Sequence, residues 1–103
     1  MNAIEIAEHI RTGRLEYSRH ALRRVVERNI SEAEIIEASL SLEIIEEYPD
    51  DKYAPSCLLL GFSKTQRPLH IQICYTGPIT VKIITIYEPS PDEWIDNKVR
   101  RLS

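Results

Sequence analysis

The segment Leu69-His70-Ile71-Gln72-Ile73-Cys74 alternates large aliphatic side chains with a histidine, a glutamine and a cysteine. This period of two predicts a β-strand that buries one of its faces. A turn at Thr76-Gly77-Pro78 leads into a further strand over residues 81–87. Upstream, residues 57–62 form a continuous apolar run, typical of a strand buried on both faces, and residues 42–48 indicate one more strand. Successive strands joined by short turns predict an antiparallel meander.

The last hairpin of this meander has a register that its aliphatic residues favour. With a short turn, His70 lies opposite Thr85 and Gln72 opposite Ile83. The other face then pairs Leu69, Ile71 and Ile73 with Ile86, Ile84 and Lys82 and is nearly all apolar. A slip by one residue would place His70 among those isoleucines, so this register is preferred. The opposite face then carries a small polar group, which consists of His70, Gln72, Thr85 and Tyr87.

The N-terminal half has the spacing of helices. Apolar residues recur every three or four positions over residues 2–12, 18–29 and 31–39. Each of these segments begins at a residue that favours the N-cap, namely Asn2, Ser18 or Ser31. Residues 92–101 predict a short C-terminal helix, because acids stand at its start and bases at its end.

Helices followed by a strand meander define the α+β class. We expect a single domain over residues 1–103, with N-terminal helices packed on a four-stranded antiparallel sheet and a short C-terminal helix. The helices should cover one face of the sheet and leave the other at least partly open.

Composition narrows the function classes. No apolar run approaches the ~20 residues that a membrane span needs, and the N-terminus lacks the pattern of a signal peptide. The two cysteines, Cys57 and Cys74, have no CxxC spacing and are expected to be reduced core thiols, which favours a cytoplasmic protein. The net charge of −3 argues against a general nucleic-acid coat.

Charge is distributed unevenly along the chain. Residues 9–28 carry six arginines against two glutamates, whereas residues 31–51 carry eight acids and neither lysine nor arginine. A contact with RNA would therefore be confined to the arginine-rich part of the surface. The acidic segment is either a solvated surface or a contact for a basic partner protein.

The second predicted helix has two faces. Its apolar stripe contains Ala21, Leu22, Val25 and Val26. The opposite arc carries His20, Arg23, Arg24, Glu27 and Arg28, with His20 and Arg24 one turn apart. A histidine can hold or release a proton near neutral pH, and guanidinium groups suit phosphate. A solvated helix face on which Glu27 pairs locally would have the same composition.

The segment His20-Ala21-x-x-Arg24-x-x-Glu27-Arg28-Asn29-Ile30-Ser31 resembles a bacterial family known as domain of unknown function 4258, which usually reads HAxxRMxERGIS here. The resemblance continues to about residue 95 through Ile44–Tyr48, Pro55–Gly61, Arg67–Ile71, Ile84–Pro89 and Trp94. Val25 replaces the usual methionine and Asn29 the usual glycine, and asparagine tolerates the left-handed conformation of a helix cap.

The resemblance implies a fold, a partner and a set of site residues. The family is similar to the RelE-like and barnase-like toxin fold group, in which helices pack on a small antiparallel sheet. It also implies an antitoxin protein with a DNA-binding domain as partner. Carried over residue by residue, the family motif points to His20, Arg24, Arg28, His70, Thr85 and Tyr87.

These residues predict a metal-independent endoribonuclease of toxin type, similar to an mRNA interferase, whose RNA substrate the ribosome could present. The RNA 2′-hydroxyl would attack the adjacent phosphate, with one group accepting its proton and another protonating the leaving oxygen. The candidate catalytic residues are His20 and His70 as base and acid in either order, Tyr87 as hydrogen-bond or proton donor, and Thr85 beside it. The candidate phosphate-binding residues are Arg24, Arg28 and Arg23. No cofactor and no metal are expected, because no CxxC pair or HExxH motif is present.

Each candidate also has a structural explanation. His70 can be a strand histidine bonded to a neighbour such as Gln72 or Thr85, and Trp94 is most simply a core anchor. The alternative function is a non-catalytic protein-binding module of the same fold, with residues 31–51 as its natural contact surface.

Overall fold

The computed structural model describes residues 2–52 and 54–102. The helices are α1 Ala3–Arg11, α2 Arg19–Glu27 and α3 Glu32–Ala38, and a 3₁₀ turn follows at Ser39–Ser41. The strands are β1 Leu15–Tyr17, β2 Glu43–Tyr48, β3 Ser56–Phe62, β4 Pro68–Tyr75, β5 Val81–Tyr87, β6 Trp94–Ile95 and β7 Val99–Arg100. None of the described helices is both long enough and apolar enough to cross a membrane.

The three predicted helices form, and their predicted caps are confirmed. Asn2 and Ser18 accept the backbone N–H of Glu5 and Ala21 through their side chains. Ser31 and Glu34 complete the capping box that the sequence indicates, each side chain binding the other residue's N–H. These bonds satisfy donors that have no partner inside a helix.

The sheet has five strands in the order β1-β5-β4-β3-β2. The α+β class is confirmed, but the prediction of a four-stranded, wholly antiparallel sheet is wrong. The additional strand, β1, pairs in parallel with β5, with Leu15 opposite Val81. A strand of three residues is too short to show a period, and its partner lies far along the chain.

The helices pack on one face of this sheet. The aliphatic residues of β4, Leu69, Ile71 and Ile73, are fully buried there. Their neighbours in the core come from all three helices and from β3 and β5, and include Ile6, Ile10, Ala21, Ile35, Ala38, Leu59, Ile83 and Ile86. Burying this face is the main favourable term for the fold.

Helix α2 contributes less to the core than its sequence predicts. Ala21 is buried and Val25 is half-buried, but Leu22 is 51% and Val26 80% exposed. The helix is anchored at its start, where the Ser18 hydroxyl donates to the Ile84 carbonyl at 2.7 Å. This anchoring brings only one narrow side of α2 against β5, so half of the predicted apolar stripe faces solvent.

The β4–β5 register differs from the predicted one. His70 lies opposite Tyr87 and Gln72 opposite Thr85, so the predicted pair of His70 and Thr85 is wrong. The turn is one residue longer than expected, and a bulge at Ile84 adds a second residue of offset. Together they shift the pairing of His70 and Gln72 by two, so these residues, Thr85 and Tyr87 stay on their predicted face. Between the turn and the bulge the shift is one residue, and Ile83, predicted opposite Gln72, lies opposite Ile73 in the core instead.

The C-terminal segment forms a hairpin, so the predicted helix over residues 92–101 is wrong. Asp96 and Asn97 have φ values of 52° and 63°, as the centre of a type I′ turn requires. A helix of this length is marginal on its own. The hairpin instead buries Trp94 edge-on against the His70 ring, with centroids 4.5 Å apart. Trp94 is buried as predicted, but it anchors this hairpin to the sheet and not the predicted helix.

Gly61 lets the chain after α3 approach the sheet. A Cβ atom on Gly61 would lie 2.5 Å from the carbonyl oxygen of Ala38. We therefore expect Gly61→Ala to lower the free energy of unfolding by about 2 kcal/mol, through overpacking. Urea denaturation measures this change. Gly77→Ala is the matched control, since nothing lies within 4 Å of a Cβ there. Equal urea midpoints for the two variants would contradict the close approach.

Candidate functional site

On the sheet face that carries Thr85 and Tyr87, the side chains of α2, β5 and residues 88–100 enclose a cavity of about 440 Å³, here called the arginine cavity. It is lined by Arg24, Arg28, Thr85, Tyr87, Glu88, Ser90, Glu93, Trp94 and Arg100. Three guanidinium groups from α2 and β7 thus surround two hydroxyl groups of β5. The carboxylates of Glu88 and Glu93 offset two of the three positive charges, so the lining residues carry a net charge of +1.

Four of the sequence-predicted site residues line this cavity. Arg24 of α2 and Arg28, the C-cap residue of α2, stand one turn apart, and Thr85 and Tyr87 stand two residues apart on β5. Those spacings place each pair on one side of its element. Arg23 is exposed and does not line the cavity, so its predicted phosphate contact would have to lie outside it.

His20 lies beside the cavity. It is exposed, one turn before Arg24, and the Arg24 Nε donates to His20 Nε2 at the long distance of 3.5 Å. The same guanidinium pairs with Glu27 at 3.4 Å. A ligand held by Arg24 would therefore be within reach of the His20 imidazole.

His70 lies behind the cavity. It is fully buried, with Nε2 2.6 Å from the Asn97 carbonyl oxygen and Nδ1 3.2 Å from the Tyr87 hydroxyl. A carbonyl only accepts, so Nε2 carries the proton and Nδ1 accepts from Tyr87. Burial lowers the pKa of His70, although the hydrogen bond to the Asn97 carbonyl opposes this shift. The lowered pKa favours the neutral ring. The structure therefore gives His70 no direct contact with a ligand in the cavity.

Tyr87 links the buried His70 to the arginine cavity. Its hydroxyl binds His70, while its side chain is half-buried and lines the arginine cavity. Burial raises the pKa of Tyr87, an effect that Arg100 opposes and Glu46 reinforces. The hydroxyl thus keeps its proton at neutral pH and can serve as a donor.

Arg100 is a cavity residue that the sequence did not indicate. Its guanidinium lies 4.5 Å over the Trp94 ring and binds the Glu46 carboxylate at 3.0 and 3.3 Å. Burial raises the pKa of Glu46, but the bonds from Arg100 and Tyr48 outweigh it, and the net pKa is lowered. The pair Asp96-Asn97, whose residue types favour a tight turn, is the sequence signal that could have predicted Arg100 next to Trp94.

Arg67 is a second residue that sequence reasoning missed. Its guanidinium donates to the carbonyls of Arg28 and Asn29, at 2.8 and 3.1 Å, where α2 ends. It also binds Glu34 at 3.2 Å and Glu88 at 2.7 Å. One side chain therefore joins the end of α2, the start of α3 and the end of β5, and so fixes Arg28 relative to Tyr87.

Among the described residues, the thiols and carboxylates are the groups that a metal site or a thiol nucleophile would require. No group of three or more histidine, cysteine, aspartate or glutamate side chains there is arranged to hold a metal ion. Cys57 and Cys74 are both buried and unbonded to each other. Burial raises the pKa of Cys57 to about 11, so its thiol is not a ready nucleophile.

The ion pair between Arg67 and Glu34 predicts a pH-dependent stability. Bonds from the Ser31 backbone and from Arg67 hold the pKa of Glu34 below its ordinary value of 4.5. A lowered carboxylate pKa adds stability above that value, and the gain disappears as the pH falls below it. We expect Glu34→Gln, which keeps a cap acceptor, to cost about 1–2 kcal/mol at pH 7. Urea unfolding at pH 7 and pH 3 should show this difference shrinking in acid.

Glu32→Gln is the control for this measurement, because Glu32 lies in the same helical turn but is exposed and bonds to neither Arg67 nor Ser31. We expect it to change the stability by less than about 0.5 kcal/mol. A Glu34→Gln difference that persists unchanged at pH 3 would argue against the ion pair as its source.

A comparison with known protein families identifies the segment that carries most of the candidate residues. The sequence model of the family described as Domain of unknown function (DUF4258) matches residues 17–88, from the end of β1 to one residue past β5. No curated protein and no solved structure matches the chain. Since the matched segment covers more than half of the sequence and includes His20, His70 and Tyr87, the chain belongs to the DUF4258 family.

Proposed function

We propose that this protein is a metal-independent endoribonuclease toxin of a toxin–antitoxin type module, with a RelE-like or barnase-like fold, that cleaves RNA by acid–base transesterification. One observation carries the proposal. Arg24 and Arg28 of α2 and Thr85 and Tyr87 of β5, which are distant in sequence, line one cavity next to an exposed histidine. A solvated helix face alone would not bring the hydroxyls of another element to these arginines.

The arginines hold the substrate. Arg24 and Arg28 project from successive turns of α2 and can each present two N–H groups to the phosphate oxygens. Their charge then stabilises the phosphorane as a further negative charge develops on it. Arg67 binds the backbone carbonyl of Arg28 and keeps that residue in place.

The proton transfers fall to His20 and Tyr87. His20 accepts the proton of the 2′-hydroxyl as its oxygen bonds to phosphorus. The bond from phosphorus to the 5′-oxygen breaks, and the Tyr87 hydroxyl turns its proton away from His70 Nδ1 and donates it to that oxygen. The products are a 2′,3′-cyclic phosphate and a 5′-hydroxyl, and exchange with water restores both side chains. Thr85 helps to orient the reacting group, and His70 acts as a positioning residue through its bond to the Tyr87 hydroxyl.

The charge of the protein suggests how it meets its substrate. The net charge of −3 opposes unassisted binding to long RNA, so we propose that the ribosome presents the RNA. An antitoxin protein with a DNA-binding domain would act as the partner that blocks the cavity.

A non-catalytic protein-binding module is the second candidate. Ile4 and Leu40 are 80% and 75% exposed and flank an apolar groove between α1 and the 3₁₀ turn. By contrast, the acids of residues 31–51 are partly engaged within the molecule, since Glu34, Glu43 and Glu46 form internal ion pairs. A binding module would therefore use the apolar groove rather than the acidic segment.

The proposal predicts how substitutions affect RNA cleavage. We expect His20→Ala and Tyr87→Phe each to lower the cleavage rate by about 10²–10⁴, the usual range for an acid or base. Arg28→Gln should lower it by about 10²–10³. The assay uses purified protein, labelled RNA and excess EDTA, with ribosomes added in a parallel set, and it identifies the product ends. Induced expression in bacteria should arrest growth with wild type and not with His20→Ala at equal protein level.

Arg19→Gln is the matched control, because Arg19 is an exposed arginine of α2 that does not line the cavity. It should cleave RNA at the wild-type rate. The nuclease is ruled out if folded wild-type protein cleaves no RNA in either set. Growth arrest that survives His20→Ala and Tyr87→Phe but is relieved by Leu40→Asp would instead establish the binding module.

A further inference from the structure

A second cavity adjoins the arginine cavity on the same sheet face. It measures about 520 Å³ and is here called the amide cavity. Its lining consists of Tyr48, Pro49, Asp50, Asp51, Gln72 and Arg100. Arg100 lines both cavities, and Gln72 is the cross-strand partner of Thr85, which lines the other. Directly opposed residues of an antiparallel pair have Cβ atoms about 5 Å apart, so the two cavities are neighbours.

Hydrogen bonds fix the orientation of Gln72. Its amide nitrogen donates to the Ser56 hydroxyl at 3.1 Å and to the Asp51 carboxylate at 3.4 Å. The Ser56 hydroxyl in turn donates to Asp51 at 2.6 Å. Both donors of the amide are thereby engaged, and within the described residues its carbonyl oxygen has no hydrogen-bond partner. The amide cavity thus offers a ligand two acceptors, the Gln72 carbonyl and the Asp51 carboxylate.

Arg100 supplies a flat surface next to these acceptors. One face of its guanidinium lies over the Trp94 ring, and its two bonds to Glu46 hold the plane in place. The side chain is 59% exposed, which leaves the other face accessible. Nucleobases stack on arginine planes supported in this way.

We propose that the amide cavity binds the nucleobase next to the phosphate held by Arg24 and Arg28, and that it selects bases bearing an exocyclic amino group. This inference rests on the proposed function. An amino group would donate to Gln72 and Asp51 while the base stacks on Arg100. Uracil would place a carbonyl oxygen against these acceptors, and hypoxanthine would place only a C2–H there, so both bases would leave the acceptors without a partner.

Guanosine 3′-monophosphate and inosine 3′-monophosphate test the proposal, because they differ only in the amino group. We expect wild-type protein to bind the guanosine nucleotide about tenfold more tightly, as followed by NMR titration at low salt. Gln72→Met should lower the affinity for the guanosine nucleotide towards that for the inosine nucleotide, because only the Asp51 acceptor remains, and leave the latter unchanged. Arg28→Gln should weaken both by the same factor.

The outcomes separate this inference from the proposed function. Equal affinities for the two nucleotides in wild type, both weakened by Arg28→Gln, would overturn the base site and leave the phosphate site standing. A preference for guanosine in wild type, with both affinities unchanged in Arg28→Gln, would support the base site and contradict the phosphate site. Absence of binding by both nucleotides would overturn the two together. Since the wild-type comparison decides these cases, the test holds even if Gln72→Met fails to fold.

Discussion

The alternation of side chains along β4 is the constraint on which the rest of the structure depends. β4 is the central strand, and its three aliphatic residues are fully buried beneath the helices. The residues between them must then point to the other face, where His70 and Gln72 lie. A shift of one residue would bury the amide of Gln72 in the aliphatic core, so packing on one face fixes the polar residues on the other. The helices thereby determine where the site forms without contributing most of its residues.

Arg67, one residue before β4, connects this strand with the walls of the site. The helix carrying Arg24 and Arg28 packs through few large side chains, with Ala21 as its only buried residue. Its position therefore depends on polar bonds at both ends, the Ser18 hydroxyl at the start and the Arg67 guanidinium at the finish. A lysine could not replace Arg67, because a single ammonium group cannot reach two carbonyls and two carboxylates in fixed directions. The proposed catalytic geometry thus relies on a residue that contacts no substrate.

The sequence predicted the elements whose signal is local. Three helices were evident from their spacing and caps, and β2 to β5 from their apolar runs, because in each case neighbouring residues carry the pattern. The strand β1 was not predictable, since its three residues become a strand only by pairing with Val81 and its neighbours. In the C-terminal segment the charges of Asp92, Glu93 and the terminal bases favour a helix. Burial of Trp94 against His70 and a turn at Asp96-Asn97 outweighed them.

The C-terminal hairpin of β6 and β7 also explains why the surroundings of His70 differ from the predicted ones. Without it, His70 would stand on an open sheet face, where an acid or base could reach a substrate. The hairpin instead places the Asn97 carbonyl on His70 Nε2 and leaves Tyr87 as the group that reaches the cavity. It also supplies Arg100, which no local pattern could assign to a site on β4 and β5. The cavity-lining residues on the predicted strand and helix could therefore be identified from the sequence, whereas the surroundings of His70 and the position of Arg100 follow from how residues 94–100 fold back.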